Sequence, residues 1–382
     1  MNPRIVVLGA GYAGAPAAVR LAARLPRAQI TLVNATDRFV ERIRMHQLAA
    51  GQPIVGTPLQ KVVAGTGIEL VIARVAGIDV EAKTVQLEGE RPALQYDVLI
   101  YALGSFADFG GVRGVREHAL GVADADHAGQ LRDQLDRHAA ARIAVIGGGL
   151  TGIETAAELA EARRDRGGVV LVSAGLVGGW LSSRARAHLI KGLERLGVTV
   201  RENAPVKAVD ATGLELGEGE RLDAGAVVWA AGFRVPDIAA RAGLAVDDRG
   251  RMLLDATLRS SSHPDVFGAG DAVAAMVAGG GGESRMSAQT AVPMGAQVAD
   301  AVARSVTGRS PRPVKVLYVW QHISLGRRDG VTQFTHLDDS PLGLVLTGRP
   351  SAHFKELICR GVRAYCTRHA ALFIRPYRAT GS

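Results

Sequence analysis

The sequence predicts an α/β fold in which two strand–turn–helix–strand units each build a parallel sheet. Three observations predict it. The stretch "VVLGAGYAGAPAAVRLA" stands at residues 6–22, and a near-equivalent, "VIGGGLTGIETAAELA", at residues 145–160. Each glycine turn is entered from a short β-branched run and left through an alanine-rich helical segment and a second apolar run, the alternation of a wound parallel sheet. The 382 residues, 47% hydrophobic and 21% charged, match an ordinary globular enzyme and leave enough chain for two domains or more.

In the first unit, "RIVVL" at residues 4–8 reads as a strand buried on both faces. Gly9-Ala10-Gly11-Tyr12-Ala13-Gly14 follows as G-x-G-x-x-G. A helix then runs to about Leu25, where Pro26 helps to end it, and "QITLV" gives the next strand. Gly9 permits the tight turn, Gly11 lets the backbone approach a pyrophosphate, and Gly14 lets helix and strand pack closely with the helix N-terminus facing the anion. Set between a strand and a helix, this pattern predicts a dinucleotide-binding turn. The second strand of such a unit ends in an acid about 20 residues past the turn. Here Asn34 stands in that place, with Asp37 close by. An amide can accept one ribose hydrogen bond without charge; the other reading of Asn34 is a turn residue that ends the strand.

The second unit repeats the first. "RIAVI" (142–146) leads into Gly147-Gly148-Gly149-Leu150-Thr151-Gly152, then the helix "IETAAELAEARR" and the strand "VVLVS". Two complete units mean two dinucleotides, or one dinucleotide and an internal duplication. Two dinucleotides side by side suggest an electron relay, in which a nicotinamide donates hydride and a tightly held flavin receives it.

Together with three further motifs in the right order, these turns give the chain a resemblance to the two-dinucleotide-binding-domain flavoproteins of the pyridine nucleotide–disulfide oxidoreductase superfamily, over roughly residues 4–310. "YDVLIYALGS" (96–105) and "AVVWAAGFRVPD" (226–237) resemble that family's two strands and turns beside the flavin, and "HPDVFGAGDAVA" (263–274) its late G-D motif. The resemblance implies non-covalent FAD at Gly9, Gly11, Gly14 and Asn34, with Arg42, Ala102, Gly104, Gly232 and Asp271 around it. It implies NAD(P)H at Gly147, Gly149, Gly152 and Ser173. It also implies that the NAD(P) domain (113–237) is inserted into the FAD domain (1–112 and 238–310). A small α+β region (311–382) follows, which faces an interface or a membrane.

Within the superfamily the chain is most similar to type II NADH:quinone oxidoreductases. "FVERIRMHQLAAG" (39–51) resembles their loop and helix past the flavin. "RMSAQTAVPMGAQVAD" (285–300) resembles their quinone-side helix, and "VWQHISLGRRDGVTQF" (319–334) the segment that opens their C-terminal domain. Gln289 and Ala291 match the first part of the quinone motif, but Pro293 stands where a second glutamine is expected. Pro293 therefore kinks its helix or marks its first turn. The implied reaction takes hydride from NAD(P)H and passes electrons through FAD to a quinone or similar small acceptor. Alternatives are a reductase of an electron-transfer protein or biosynthetic intermediate, and a redox sensor without turnover. Glu154 would orient the nicotinamide or stabilise its helix start. His46 and His322 would relay a proton or serve structure alone.

The remaining features narrow the class. The only cysteines are Cys359 and Cys366, so no redox pair follows the first unit, and their spacing is neither a metal signature nor a disulfide framework. Two cysteines suit a reducing, cytoplasmic setting, with peripheral contact at the inner face of a membrane as the further option. A formal net charge of +8 with only 4% aromatics argues for scattered arginines, not nucleic-acid binding. Near the C-terminus a hairpin and a further strand precede a helix capped by Ser351. Lys355, Arg360, Arg363 and Arg368 surround its apolar stripe, which would meet an anionic membrane, the flavin domain or a second copy in a homodimer. Finally, the second strand of the nicotinamide unit ends in Ser173 and not in an acid. With Arg184 and Arg186 beyond it, NADPH is expected to serve at least as well as NADH.

Overall fold

Both glycine-turn units form the predicted sheets in a computed structural model that describes residues 2–137, 141–164, 167–277 and 282–367. Strand β1 (Arg4–Leu8) is buried along its apolar length because it lies at the centre of its sheet. It leads through the turn into helix α1 (Gly14–Arg24), then β2 (Gln29–Asn34), β3 (Glu69–Ile72) and β4 (Val98–Tyr101). The second unit comprises β5 (Ala119–Gly121), β6 (Ile143–Ile146), α2 (Leu150–Ala162), β7 (Val169–Val172), α3 (Ser183–Arg195), β8 (Val198–Arg201) and β9 (Ala226–Trp229). Strand β10 (Val266–Gly268) then returns to the first sheet.

The resulting strand orders are β10-β4-β1-β2-β3 and β5-β9-β6-β7-β8, each five-stranded and parallel throughout. The two units therefore wind alike. Because β10 pairs with β4 only after the second sheet is complete, the second domain is an insertion into the first. The crossing is tied by a short antiparallel pairing of Phe106–Ala107 with Phe233–Arg234, which joins the chain leaving β4 to the chain leaving β9.

Helix α4 (Ala288–Val306) begins at Ser287, whose hydroxyl accepts from Thr290 N–H, and packs across α1. Gly295 makes the approach possible: a Cβ there would stand 2.3 Å from the Ala13 carbonyl oxygen. Pro293 lies in the second turn of α4 and is exposed. It neither starts nor ends the helix. Lacking an N–H, it leaves the Gln289 carbonyl without its intrahelical donor.

The C-terminal region is a three-stranded antiparallel sheet, β11 (Trp320–Ser324), β12 (Gly330–Thr335) and β13 (Pro341–Thr347), followed at once by helix α5 (Gly348–Thr367). Two expectations about α5 need correction. The helix starts three residues before Ser351, which is buried inside it and shares a hydrogen bond with Thr332 Oγ1 at 2.8 Å, so Ser351 is not the cap. Lys355 does not line an exposed basic face but turns into the protein interior. Arg368 lies outside the described residues. None of the described helices is long and apolar enough to cross a membrane.

Candidate active site

The first turn meets its steric demands as the motif requires. A Cβ on Gly9, whose φ is +94°, would stand 2.3 Å from the Ala102 carbonyl oxygen, and one on Gly14 would stand 1.8 Å from that of Gly9. Gly11 faces open space, with nothing within 4 Å of its Cβ position. The second turn repeats this. Gly147 closes on Ala230 and Gly152 on Gly147, while Gly149 is open. Neither α1 nor α2 has a side-chain cap, so the first-turn N–H groups of α2 are left for an anion, as is the Gly14 N–H of α1, where Ala15 donates to the Gly11 carbonyl and Pro16 has no N–H. Two open cradles, each at an uncapped helix N-terminus, fit two pyrophosphates.

Asn34 is engaged by the turn itself. Its Oδ1 accepts the Ala10 N–H at 2.9 Å and its Nδ2 donates to the Thr36 carbonyl at 2.8 Å, so the amide holds strand to turn and has one acceptor position to spare. Beside this turn the expected flavin-side residues converge. Ser105, next to Gly104, donates to Asp271 Oδ2 at 2.7 Å. Arg42 reaches Ser105 Oγ at 3.3 Å and Asp271 at 3.6 Å, and its Nε donates to the Ala123 carbonyl. Ala102 N–H donates to Leu8 O, and Gly232 accepts from Asp108 N–H across the strand crossing. Ser105 was not singled out from sequence, although its place directly after Gly104 carried the signal.

Glu154 is the fifth residue of α2, past its first turn, and its carboxylate is engaged by other elements. Oε1 accepts the Ser324 N–H at 2.7 Å, the Ser324 hydroxyl at 3.0 Å and the Lys355 ammonium. The buried pair links the second glycine-turn unit to both β11 and α5, and its partners argue against the helix-start reading. Burial pushes Lys355 down to about 8. His46, on the short helix Met45–Ala49, is 4% exposed, and its Nε2 has no hydrogen-bond partner among the described residues. Burial first, then the nearby Lys355, Arg327 and Arg44, hold it well below the usual histidine range, so it is neutral. His322 is pushed down to about 4 by burial, and its Nδ1 shares a hydrogen bond with Thr332 Oγ1.

Gln289 lies on the first turn of α4. Its Oε1 accepts from Arg285 at 3.3 Å, and its buried Nε2 has no partner among the described residues. Arg285 also pairs with Asp339 at 2.7 Å, and Asp339 accepts from Gln321, which in turn accepts from Trp180 Nε1 at 2.6 Å. One polar chain thus runs from α4 through the C-terminal sheet to the loop before α3. Neither Lys355, Ser324 nor this chain was legible from spacing, because each joins segments far apart in sequence.

The family model for pyridine nucleotide-disulphide oxidoreductases matches residues 3–295. The chain belongs to this family. A Mycobacterium tuberculosis protein named NADH dehydrogenase-like is 34% identical over 293 residues, 71% of this chain and 73% of its own. The type II NADH:quinone oxidoreductase of Staphylococcus epidermidis is 28% identical over 386 residues, covering 93% of this chain and 94% of its own. Among solved structures, NDH2 from Plasmodium falciparum in complex with NADH superposes with TM-score 0.83 at 15% identity, covering 96% and 98% of the two chains. The sulfide:quinone oxidoreductase of Aquifex aeolicus superposes at 0.81 and 21%, covering 96% and 92%. These two likenesses establish the fold.

As a member of this pyridine nucleotide-disulphide oxidoreductase family, the protein is an oxidoreductase that uses FAD and NAD(P)H. Its two thiols sit inside α5: Cys359 is 5% and Cys366 2% exposed, and burial raises both, Cys366 to about 12. A thiol held that high is protonated at neutral pH and a poor nucleophile.

Proposed function

We propose that the protein oxidises NAD(P)H and reduces a quinone, without redox-active cysteines, by NAD(P)H + H⁺ + quinone → NAD(P)⁺ + quinol. The observation that carries this reading is the pairing of Phe106–Ala107 with Phe233–Arg234, which ties the chain leaving the Gly104 turn of the first unit to the chain leaving the Gly232 turn of the second. FAD, when bound, supplies a two-electron acceptor for hydride and a donor for the quinone. The chain's own residues do the rest. The Gly11 and Gly149 cradles and the two helix N-termini bind the pyrophosphates. Arg42, Ser105 and Asp271 fix the hydrogen bonding on the flavin side. Glu154, locked by Ser324 and Lys355, orients the nicotinamide.

On this reading the acceptor docks at Gln289. Its unpartnered Nε2 and the carbonyl freed by Pro293 offer a donor and an acceptor to a quinone oxygen and hydroxyl. Tyr318, whose hydroxyl accepts from Arg285 N–H, is flanked by the exposed Leu317 and Val319, with Leu337 beside them. That apolar margin suits peripheral contact with the lipid surface in which quinones dissolve. The test is an acceptor panel on the FAD-loaded protein with NADH: a soluble quinone, a ferredoxin-type protein and a disulfide. Turnover with the quinone supports the reading, and turnover with either of the others alone refutes it.

A further inference from the structure

Ser173 occupies the place of the acid that selects NADH, yet its side chain cannot act there. It is 7% exposed and turned toward the glycine turn: a Cβ on Gly148 would stand 2.4 Å from Ser173 Oγ. Its Oγ accepts the Gly175 N–H at 3.3 Å. The loop beyond folds back over the turn, with Gly178 N–H donating to the Gly148 carbonyl at 3.2 Å.

A carboxylate does enter this loop, but from the neighbouring strand. Glu202 follows β8, and its Oε1 accepts the Val177 N–H at 2.6 Å and Arg186 Nη2 at 2.5 Å. Arg186 is tied a second time, Nε donating to the Val177 carbonyl at 3.1 Å. The arginine expected to grip a 2′-phosphate is therefore already neutralised and aimed at the loop. Glu202 Oε2 has no hydrogen bond among the described residues, so one oxygen of a partly exposed carboxylate is left for a donor. Burial opposes the charge, but Arg186 and the Val177 N–H outweigh it and hold the carboxyl below the usual glutamate range.

We infer that Glu202 is the specificity-determining residue for the nucleotide, doing from β8 what an acid at Ser173 would do from β7, and that the site selects NADH over NADPH. A ribose 2′-hydroxyl donates to Oε2 and gains a charge-assisted bond. A 2′-phosphate meets a carboxylate and can recruit Arg186 only by breaking its pair with Glu202. The preference is thus opposite to the one the uncharged Ser173 suggests.

The inference rests on the reading that the second glycine turn holds the nicotinamide nucleotide. Its test uses binding without any acceptor, so failure of the quinone assignment leaves it standing. NAD⁺ and NADP⁺ are titrated calorimetrically into full-length, FAD-loaded protein. Wild type should bind NAD⁺ at least tenfold more tightly, about 1.4 kcal/mol. Glu202→Gln keeps an acceptor for Val177 and so preserves the loop, but loosens Arg186; the NAD⁺/NADP⁺ ratio should fall at least tenfold. Adding Arg186→Gln should remove the gain in NADP⁺ affinity. A wild-type ratio near one, or a ratio unmoved by Glu202→Gln with an unchanged melting curve, overturns the inference. If neither nucleotide binds wild type, the inference and the reading of the second turn fall together.

Discussion

Gly11→Val should empty the protein of FAD while leaving its fold intact. Gly11 has no atom within 4 Å of its Cβ position, and its backbone is not in the left-handed region, so the polypeptide accepts an L-residue there. The apoprotein's stability should change by no more than about 0.5 kcal/mol, as for surface substitutions generally. The cofactor meets the opposite situation, because the new side chain stands in the cradle where a pyrophosphate reaches backbone N–H groups. Losing one hydrogen bond to a charged group costs about 1.5–3 kcal/mol, or roughly 10- to 150-fold in Kd, before any steric clash is counted. Gly14→Ala is the control. Its Cβ would lie 1.8 Å from the Gly9 carbonyl oxygen, so helix and turn must separate, at more than the ~1–3 kcal/mol of ordinary overpacking. The assay is urea melting of the two apoproteins, because bound FAD stabilises by mass action and would mask the comparison, together with FAD titration by fluorescence. Unchanged FAD affinity in Gly11→Val, or an apoprotein as unstable as Gly14→Ala, refutes the reasoning.

Replacing both thiols, Cys359→Ser with Cys366→Ser, should leave NADH-to-quinone turnover within a few-fold; its loss with FAD still bound would restore a dithiol relay. Lys355→Met strands the Glu154 carboxylate and should cost about 3–5 kcal/mol in urea melts, whereas the double variant with Glu154→Gln should regain much of it; additive losses would show that the pair is not coupled. The two buried histidines should make stability acid-sensitive. Both have folded-state values below the unfolded 6.5, so the unfolded chain binds more protons beneath that pH, and stability is present above it and lost as pH falls toward the folded values. For His322, depressed to about 4, the loss from pH 7 to pH 5 is about 2 kcal/mol, and His322→Gln should abolish that share; an unchanged pH slope in the variant would rule the mechanism out.

What was legible in the sequence is what sterics and period dictate locally. Gly9, Gly14, Gly147 and Gly152 each fill a space that no side chain fits, so their spacing announced both turns. The alternation of apolar runs announced both sheets. What was not legible lies between segments. Lys355 falls among basic residues at helical spacing, and nothing in that spacing says that a buried carboxylate 201 residues earlier draws it inward. Glu202 was passed over because the selector acid was sought at the end of β7, while the carboxylate that enters this loop comes from the end of β8. Gly295 reads as an ordinary helix glycine until α1 is packed against it. Ser351 looked like a cap because serine so often is one, but the turn Gly348 had already begun the helix.

The central claim, that electrons pass from a nicotinamide through flavin to a quinone, is tested most directly by anaerobic stopped-flow absorbance of the FAD-loaded protein. Mixed with NADH, the visible absorbance band of the oxidised flavin should bleach in a single turnover. Mixed next with a soluble quinone, it should return at a rate no slower than steady-state turnover. A band that NADH does not bleach, or one that bleaches and is not restored by quinone, contradicts the account.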